Sequence, residues 1–318
     1  MKKFTCIGCC LIFLFFIGGC TCFMAFYNEN HPSGMNKYYN LIEPTGILES
    51  KYMQLGSHNV KTYEEDAEGT LLKYKVWYPE DMINQNTTFP VIISNNGTGW
   101  GVSKYPEWFN HMASWGFIVV GNEEGTSWNG NSAEESLNWI LRQDSLANSI
   151  FYNHINKEKI GTIGHSQGGT GVVNSITVQP SAKMYKTAVM LASTFDGYSS
   201  FLRWESDASK IKVPTLILVA KDDGLTPPKD LYNLYNAIPN NVFKVMGRRL
   251  NVGHGDMLVF ADGYVTAWML WQLQDNDDAG KAFIGKSPEL SKNKDFIEVR
   301  TSETAITHLK MRYPREGI

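Results

Sequence analysis

Short apolar runs alternate along this chain with longer segments whose apolar residues recur every three or four positions. The short runs are typical of strands buried on both faces of a parallel sheet, and the longer segments are typical of amphipathic helices. The predicted strands span residues 73–79, 90–94, 116–121, 159–164, 188–192, 215–220 and 242–246. The predicted helices span residues 105–114, 132–141, 167–176, 231–238 and 265–273. This alternation predicts an α/β fold, a doubly wound and mainly parallel sheet with helices on both faces.

One domain accounts for most of the chain. We expect residues 51–285 to form a single α/β domain, because neither an internal repeat nor a second set of apolar runs occurs. Residues 28–50 are polar and contain prolines and glycines, which predicts a linker. Residues 286–318 carry mixed charge and are expected to form a tail that contains one candidate strand, Phe296–Val299.

The first 27 residues predict a targeting or anchoring segment. Lys2 and Lys3 precede an uncharged apolar run at residues 4–27, which is long enough to span a bilayer as a signal anchor. Alternatively, residues 17–20 resemble a bacterial lipobox, in which Cys20 would be lipidated after cleavage of a signal peptide. We favour the lipoprotein. Both alternatives place the rest of the chain outside the cytoplasm, anchored to a membrane, and cleavage alone would leave it secreted.

Composition excludes several classes of function. The formal net charge of −3 gives no reason to expect a nucleic-acid partner. All five cysteines precede residue 23, so the domain downstream has neither a disulfide framework nor a cysteine-based metal site. The sequence has no Walker loop and no Rossmann glycine fingerprint. The run Asp275-Asn276-Asp277-Asp278 is more typical of a solvated surface than of a calcium site. We therefore expect no metal and no cofactor.

The strand at residues 159–164 leads into Gly164-His165-Ser166-Gln167-Gly168, a Gly-x-Ser-x-Gly pattern. A strand that turns directly into a helix holds the middle residue in a tight, strained turn with its side chain clear of the backbone. Glycines are needed on both sides because a β-carbon there would collide with a neighbouring strand or helix. Ser166 is therefore the candidate nucleophile, and the Gln167 amide at the start of the helix is a candidate donor to an oxyanion.

A nucleophilic serine needs a general base, and the base needs a carboxylate to orient it. In this architecture the residues follow in the order serine, acid, histidine, which leaves His254 and His308 of the seven histidines. His254 lies between a predicted strand and the last predicted helix with a glycine on either side, whereas His308 lies in the tail. We therefore predict that His254 is the base.

The acid is expected directly after the strand at residues 215–220, where Asp222 and Asp223 are adjacent and spacing does not choose between them. The second oxyanion donor is expected in the glycine-rich loop at residues 94–101, which follows a buried strand. Three aromatic residues near these loops are candidates either for a substrate subsite or for anchoring a loop: Trp100, Trp128 and Phe195.

With these motifs, the sequence resembles the bacterial cutinase-like and polyester hydrolases of the α/β-hydrolase superfamily, and more distantly the dienelactone hydrolases. The resemblance runs over about residues 90–284 and rests on residues 91–99, 113–120, 164–169, 213–217, 223–227 and 253–254. It implies an α/β-hydrolase fold, Asp223 as the acid, and the amides of Gly97 and Gln167 as the oxyanion donors. Gly97 replaces an aromatic residue of the family and Gln167 replaces a methionine, while the tryptophan near residues 194–195 and the carboxy-terminal disulfide are absent.

The sequence therefore predicts a serine hydrolase that cleaves carboxylic esters through an acyl-enzyme. We expect a monomer that acts on a small-molecule or polymeric ester. A peptidase or amidase of the same fold is an alternative, because fold and triad do not fix the scissile bond. A non-catalytic binding protein on this scaffold is a second alternative, but it would not need a separated serine, aspartate and histidine at these positions.

Overall fold

The computed structural model describes residues 36–195 and 197–302, except for the side chains of residues 197 and 198. Its strands are β1 (Val60–Asp66), β2 (Lys73–Pro79), β3 (Phe89–Asn95), β4 (Ile118–Asn122), β5 (Ile155–His165), β6 (Tyr185–Leu191), β7 (Thr215–Ala220), β8 (Lys244–Arg249) and β9 (Phe296–Thr301). Its helices are α1 (Ile47–Met53), α2 (Pro106–Ser114), α3 (Asn131–Ser145), α4 (Gln167–Thr177), α5 (Gly197–Leu202), α6 (Pro228–Ala237), α7 (Met257–Phe260), α8 (Asp262–Gln274) and α9 (Asp277–Gly280). Short 3₁₀ helices lie at Tyr38–Asn40, Gly69–Leu71, Glu80–Asn84, Val102–Lys104, Ala182–Met184, Ala208–Lys210 and Leu290–Lys292.

The strands form one sheet in the order β1-β2-β4-β3-β5-β6-β7-β8-β9. Neighbouring strands from β4 across to β8 are parallel, whereas β2 is antiparallel to β1 and β4, and β9 is antiparallel to β8. Since the chain builds outwards in both directions from β3 and β5, the loops after these strands separate and leave a crevice at their carboxyl ends. The predicted fold class, a mainly parallel α/β sheet, is confirmed.

An apolar layer covers each face of the sheet. On one face, α2 and α8 bury large aromatic side chains such as Trp108 and Trp268. On the other face, α3, α4 and α6 bury Leu137, Val172 and Leu231. Burial of each such side chain contributes about 1.5–3 kcal/mol to folding. These two layers fix the strands whose ends carry the candidate site.

The edge strand β1 was not among the strands predicted from apolar runs. Its sequence from Val60 to Asp66 contains four charged residues, and none of its side chains is fully buried. It nevertheless pairs along its whole length with β2, from Val60 opposite Pro79 to Asp66 opposite Lys73. Strand pairing here depends on the neighbouring strand and not on an apolar pattern, because an edge strand has only one partner and is largely exposed to solvent.

Residues expected to form a linker and a tail are partly packed into the domain. Tyr38 is fully buried and Ile42 is 7% exposed, so this part of the predicted linker contacts the core. At the other end, β9 adds to the sheet and extends the domain beyond the predicted boundary at residue 286. The candidate strand predicted there is present. Tyr38 and Tyr39 belong to the first of these segments, which we call the lead-in (residues 36–46), and they pack in the same apolar layer as α2 and α8. The polar composition of the lead-in does not indicate this packing.

No helix in residues 36–195 or 197–302 is long and apolar enough to cross a membrane. The predicted amino-terminal segment, including Cys20, lies outside the described residues, and so does the alternative histidine His308.

Candidate active site

Ser166 occupies a sharp elbow between β5 and α4. Its backbone has φ 58° and ψ −123°, an unfavourable conformation for a residue with a β-carbon. The Ser166 amide donates a hydrogen bond of 2.9 Å to the carbonyl of Leu191 at the end of β6, and the Thr194 amide donates one of 3.3 Å to the Ser166 carbonyl. The elbow is thus held on the neighbouring strand, with the serine side chain only half-buried.

Close backbone packing explains the glycines around Ser166. A β-carbon on Gly164 would collide with the carbonyl of Gly168, and one on Gly168 would collide with the carbonyl of Asn95 at the end of β3. A β-carbon on Gly169 would collide with Ser193. The glycine pattern therefore lets α4 approach β3 and β6 directly, as the sequence predicted.

His254 and Asp223 are in contact at the same edge of the sheet. Their Nδ1 and Oδ2 atoms are 2.7 Å apart. Asp223 is 7% exposed, and its carboxylate also accepts hydrogen bonds from the amides of Leu225 and Thr226 and from the Thr226 hydroxyl. Burial alone would raise the pKa of Asp223, but the hydrogen bonds from His254 and Thr226 outweigh burial and lower it. The carboxylate is therefore charged at neutral pH and can orient the imidazole.

The two adjacent aspartates have different surroundings. Asp222 is exposed, and Lys221 Nζ lies 3.6 Å from its carboxylate. Asp223 points inward to His254. The structure thus places Asp223, the aspartate that the family resemblance implied, next to His254. The spacing of the residues alone does not choose between Asp222 and Asp223.

A second histidine, His165, supports the loop that carries His254. His165 Nε2 donates to the backbone carbonyl of His254 at 2.8 Å, and the two rings have centroids 4.7 Å apart. Burial, followed by the nearby charge of His254, lowers the pKa of His165 to about 3, so its ring is neutral during catalysis near pH 7. Chain order eliminates His165 as a base, and no pattern in the sequence indicates that it contacts the loop of His254.

The two candidate oxyanion donors lie in neighbouring segments that hydrogen bonds join through Ser127. The Gln167 amide is at the first position of α4, and the Gln167 side-chain oxygen accepts a hydrogen bond of 2.8 Å from the amide of Ser127. The Ser127 hydroxyl donates in turn to the carbonyl of Asn96, the residue before Gly97. The Asn96 side chain donates to the carbonyls of Asn122 and Glu124 at 2.7 and 2.9 Å. These contacts fix the loop of Gly97 relative to the elbow.

The aromatic candidates lie around the site but in different settings. Trp100 is half-buried, and its ring centroid is 5.7 Å from that of Tyr105. Phe195 is half-buried and lines a cavity of about 360 Å³ together with residues 199, 200 and 203–206. The Trp128 carbonyl accepts a hydrogen bond of 2.8 Å from Asn174, a contact that anchors its loop. A role for Trp100 and Phe195 in binding substrate stays a prediction.

No group of three or more potential metal ligands that could hold an ion occurs among the described residues. The functional groups at this edge of the sheet are the Ser166 hydroxyl, the His254 imidazole and the Asp223 carboxylate, with the backbone amide of Gln167 beside them.

A strained serine elbow between a strand and a helix, with a histidine–aspartate pair at the same end of a mainly parallel sheet, defines an α/β-hydrolase. The chain belongs to the PET hydrolase-like family, whose family model matches residues 52–303. It is similar to Cutinase est1 of Thermobifida alba, with 26% identity over 244 residues that cover 71% of this chain and 73% of that protein. It is also similar to Cutinase 1 of Thermobifida cellulosilytica, with 28% identity over 220 residues, 67% of this chain and 78% of that protein.

A shorter match is to Lipase 1 of Moraxella sp. (strain TA144), with 25% identity over 134 residues, 41% of this chain and 38% of that protein. The chain is a carboxylic ester hydrolase with the α/β-hydrolase fold. The family resemblance, the fold and the enzyme class expected from the sequence are confirmed.

Proposed function

We propose that this enzyme hydrolyses carboxylic esters through a serine acyl-enzyme, with Ser166, His254 and Asp223 as its catalytic triad. The observation that carries the proposal is the 2.7 Å contact between His254 Nδ1 and Asp223 Oδ2, at the sheet edge where Ser166 occupies the elbow. Since Nδ1 donates to the carboxylate, Nε2 is the nitrogen left to accept the serine proton.

The reaction proceeds in two halves. Ser166 Oγ attacks the ester carbonyl carbon while its proton passes to His254, and the amides of Gln167 and Gly97 stabilise the negative oxygen of the tetrahedral intermediate. Collapse of the intermediate transfers the proton to the departing alcohol and leaves the acyl-enzyme. Water then attacks the acyl group with His254 again as base, which releases the acid and restores the serine.

Ester cleavage is favoured over amide cleavage because two of the similar proteins are named cutinases and a third, matched over a shorter stretch, is named a lipase. The proposed substrate is a small-molecule or polymeric ester, and the proposed state is a monomer.

Labelling with a fluorophosphonate tests the nucleophile, because this probe phosphonylates an activated serine. We expect the wild type to be labelled and Ser166→Ala not to be, with kcat reduced by several orders of magnitude in the variant. Thermal unfolding of both proteins is the control for folding, since the half-buried Ser166 side chain contributes little to packing. Activity above a few per cent in Ser166→Ala would refute the assignment.

Hydrolysis of a p-nitrophenyl ester series of increasing acyl length, measured beside one p-nitroanilide, tests the scissile bond. We expect turnover of the esters and little turnover of the anilide. Labelling without ester turnover would favour a peptidase or a binding protein.

We also propose that the enzyme acts outside the cytoplasm, anchored through its first 27 residues. The support is the lysine pair followed by the uncharged apolar run at residues 4–27. Cys20→Ala distinguishes the two kinds of anchor. A lipoprotein would lose lipidation and normal processing, whereas a signal anchor would stay in the membrane fraction with unchanged gel mobility. Recovery of the wild type in the cytoplasmic fraction would exclude both.

A further inference from the structure

Tyr105 carries a buried hydroxyl for which the described residues offer no hydrogen-bond acceptor. The residue is 4% exposed and immediately precedes α2. Its ring is packed against Trp100, Trp108 and Phe109, with centroid distances of 5.7, 6.1 and 5.9 Å. Because a buried O–H group without an acceptor destabilises the folded state, phenylalanine would be the more stable residue at this position. The hydroxyl therefore calls for an explanation other than packing.

The hydroxyl lies beside the candidate oxyanion hole. A β-carbon built on Gly97 would be 3.3 Å from the Tyr105 oxygen, 3.5 Å from the carbonyl of His165 and 3.6 Å from Nδ1 of His165. His165 directly precedes Ser166, so the Tyr105 hydroxyl approaches the elbow from the side on which Gly97 stands. The Tyr105 hydroxyl lies next to the space that a side chain at position 97 would occupy.

We propose that the Tyr105 hydroxyl is a third donor to the oxyanion, beside the amides of Gly97 and Gln167. This inference rests on the proposed serine mechanism. Within the part of the chain that the structure describes the hydroxyl has no acceptor, and the ester oxygen supplies one when it becomes negatively charged. An interaction that forms only as charge develops lowers the barrier without tightening the binding of the substrate.

The protonation state of Tyr105 suits a donor. Burial raises the pKa of its hydroxyl well above the ordinary value. Hydrogen bonding with the adjacent Gly97 backbone lowers the pKa, but by less than burial raises it. The hydroxyl thus keeps its proton at neutral pH. It donates a hydrogen bond to the oxyanion and transfers no proton, so the steps of the acyl-enzyme reaction are unchanged.

The chain supplies a matched control in Tyr185. This tyrosine is 1% exposed, and its hydroxyl is also buried without a partner within the described residues. Tyr185 is the first residue of β6, whereas Leu191 at the other end of that strand accepts the hydrogen bond from Ser166. At about 3.3 Å per residue, six steps along the strand place it roughly 20 Å from the elbow.

Kinetics and thermal unfolding of Tyr105→Phe and Tyr185→Phe test the proposal. We expect kcat for a p-nitrophenyl ester to fall about 10²-fold in Tyr105→Phe, the scale seen when one oxyanion donor is removed, with KM changed less than about threefold. We expect kcat to be unchanged in Tyr185→Phe. The melting temperature of both variants should be equal to that of the wild type or higher, because each loses an unpaired buried hydroxyl. Equal kcat in Tyr105→Phe and the wild type would overturn the inference.

Inhibition by an alkyl trifluoromethyl ketone separates a donor from a residue that only supports the loop. The serine oxygen adds to the ketone carbonyl and its proton passes to His254, which creates an oxyanion in the hole. We expect the inhibition constant to rise in Tyr105→Phe by about the same factor as kcat falls. A fall in kcat with an unchanged inhibition constant would overturn the inference. Failure of the proposed function would be seen separately, as a wild type that neither hydrolyses esters nor reacts with fluorophosphonate.

Discussion

At the scale of single residues, the two adjacent aspartates after β7 have opposite surroundings and therefore opposite expected importance. Asp223 is buried and holds His254, whereas Asp222 is exposed beside Lys221. The orienting carboxylate fixes the tautomer of the histidine, so its loss disables the base without removing it.

We predict that Asp223→Asn lowers kcat by about 10⁴-fold, the scale observed when the carboxylate of a serine triad is neutralised. Asp222→Asn is the matched control and should change kcat less than about tenfold. Steady-state kinetics and thermal unfolding of both variants check this. The reverse pattern would move the acid to Asp222, and near-wild-type kinetics in both would place the carboxylate elsewhere.

The sequence was sufficient to identify Ser166 and His254 as candidates because their positions follow from chain order and from glycine spacing. It could not choose between the aspartates, because the direction of each side chain after a strand depends on the turn that follows. His165 and Tyr105 were not singled out by their neighbours in the chain. Their roles depend on contacts with residues 254 and 97, which only the folded chain brings near them.

At the scale of elements, a buried polar cluster joins the lead-in to α2 and α8. Asp262 is fully buried and accepts hydrogen bonds from the Tyr38 hydroxyl and from Trp108 Nε1, the latter at 2.9 Å. Its carboxylate is also 2.7 Å from Nδ1 of His111, whose Nε2 donates to the carbonyl of Gln54 at 2.8 Å. Both ring nitrogens of His111 thus face acceptors, a geometry that favours the protonated ring.

The Asp262 carboxylate and the neighbouring backbone carbonyls favour the positively charged form of His111. Burial alone would lower the pKa of His111, but the Asp262 carboxylate and the backbone carbonyls raise it overall. The stabilisation from this raised pKa is complete below the unfolded value of about 6.5 and is lost as pH rises through the folded value.

We predict that Tyr38→Phe lowers the free energy of unfolding by about 1.5–3 kcal/mol, because it removes a buried hydrogen bond to a charged carboxylate. Urea unfolding measures this change. Tyr152→Phe, which alters an exposed tyrosine, should change stability by less than about 0.5 kcal/mol. Equal stability of the Tyr38→Phe variant and the wild type would mean that this cluster does not hold the lead-in.

At the scale of the whole molecule, the amino-terminal limit of the domain can be tested by truncation. We predict that a chain beginning at Asn30 is soluble and active, because it keeps the buried residues of the lead-in. A chain beginning at Glu43 lacks Tyr38, Tyr39 and Ile42 and should unfold at a lower temperature. Melting temperatures and kcat of both chains measure the difference. If the shorter chain were as stable as the longer one, the lead-in would be a linker after all.

Stability should also depend on acid through His165. The pKa of this buried histidine is about 3 in the folded chain and about 6.5 when unfolded, so the unfolded state takes up a proton first as pH falls. Its contribution is therefore fully present above pH 6.5 and is lost progressively towards pH 3. We predict that wild-type stability falls by a few kcal/mol more than that of His165→Gln across this range, measured by urea unfolding at each pH. Parallel curves for the two proteins would contradict this assignment.

The charged edge strand β1 has a consequence for how separate molecules behave in concentrated solution. An open sheet ends in a row of unpaired backbone groups that a second molecule could extend, and charges along the edge oppose such joining. Glu64 lies on this strand, paired with Lys73 and Lys75 at 2.7 and 2.6 Å. We predict that Glu64→Val promotes concentration-dependent self-association in sedimentation velocity, whereas Glu135→Val, on the exposed surface of α3, does not. Both variants should keep wild-type kcat at low concentration, because neither residue belongs to the site. Colloidal solubility would then depend on the edge strand β1, and catalysis on the loops that follow the inner strands β5, β7 and β8.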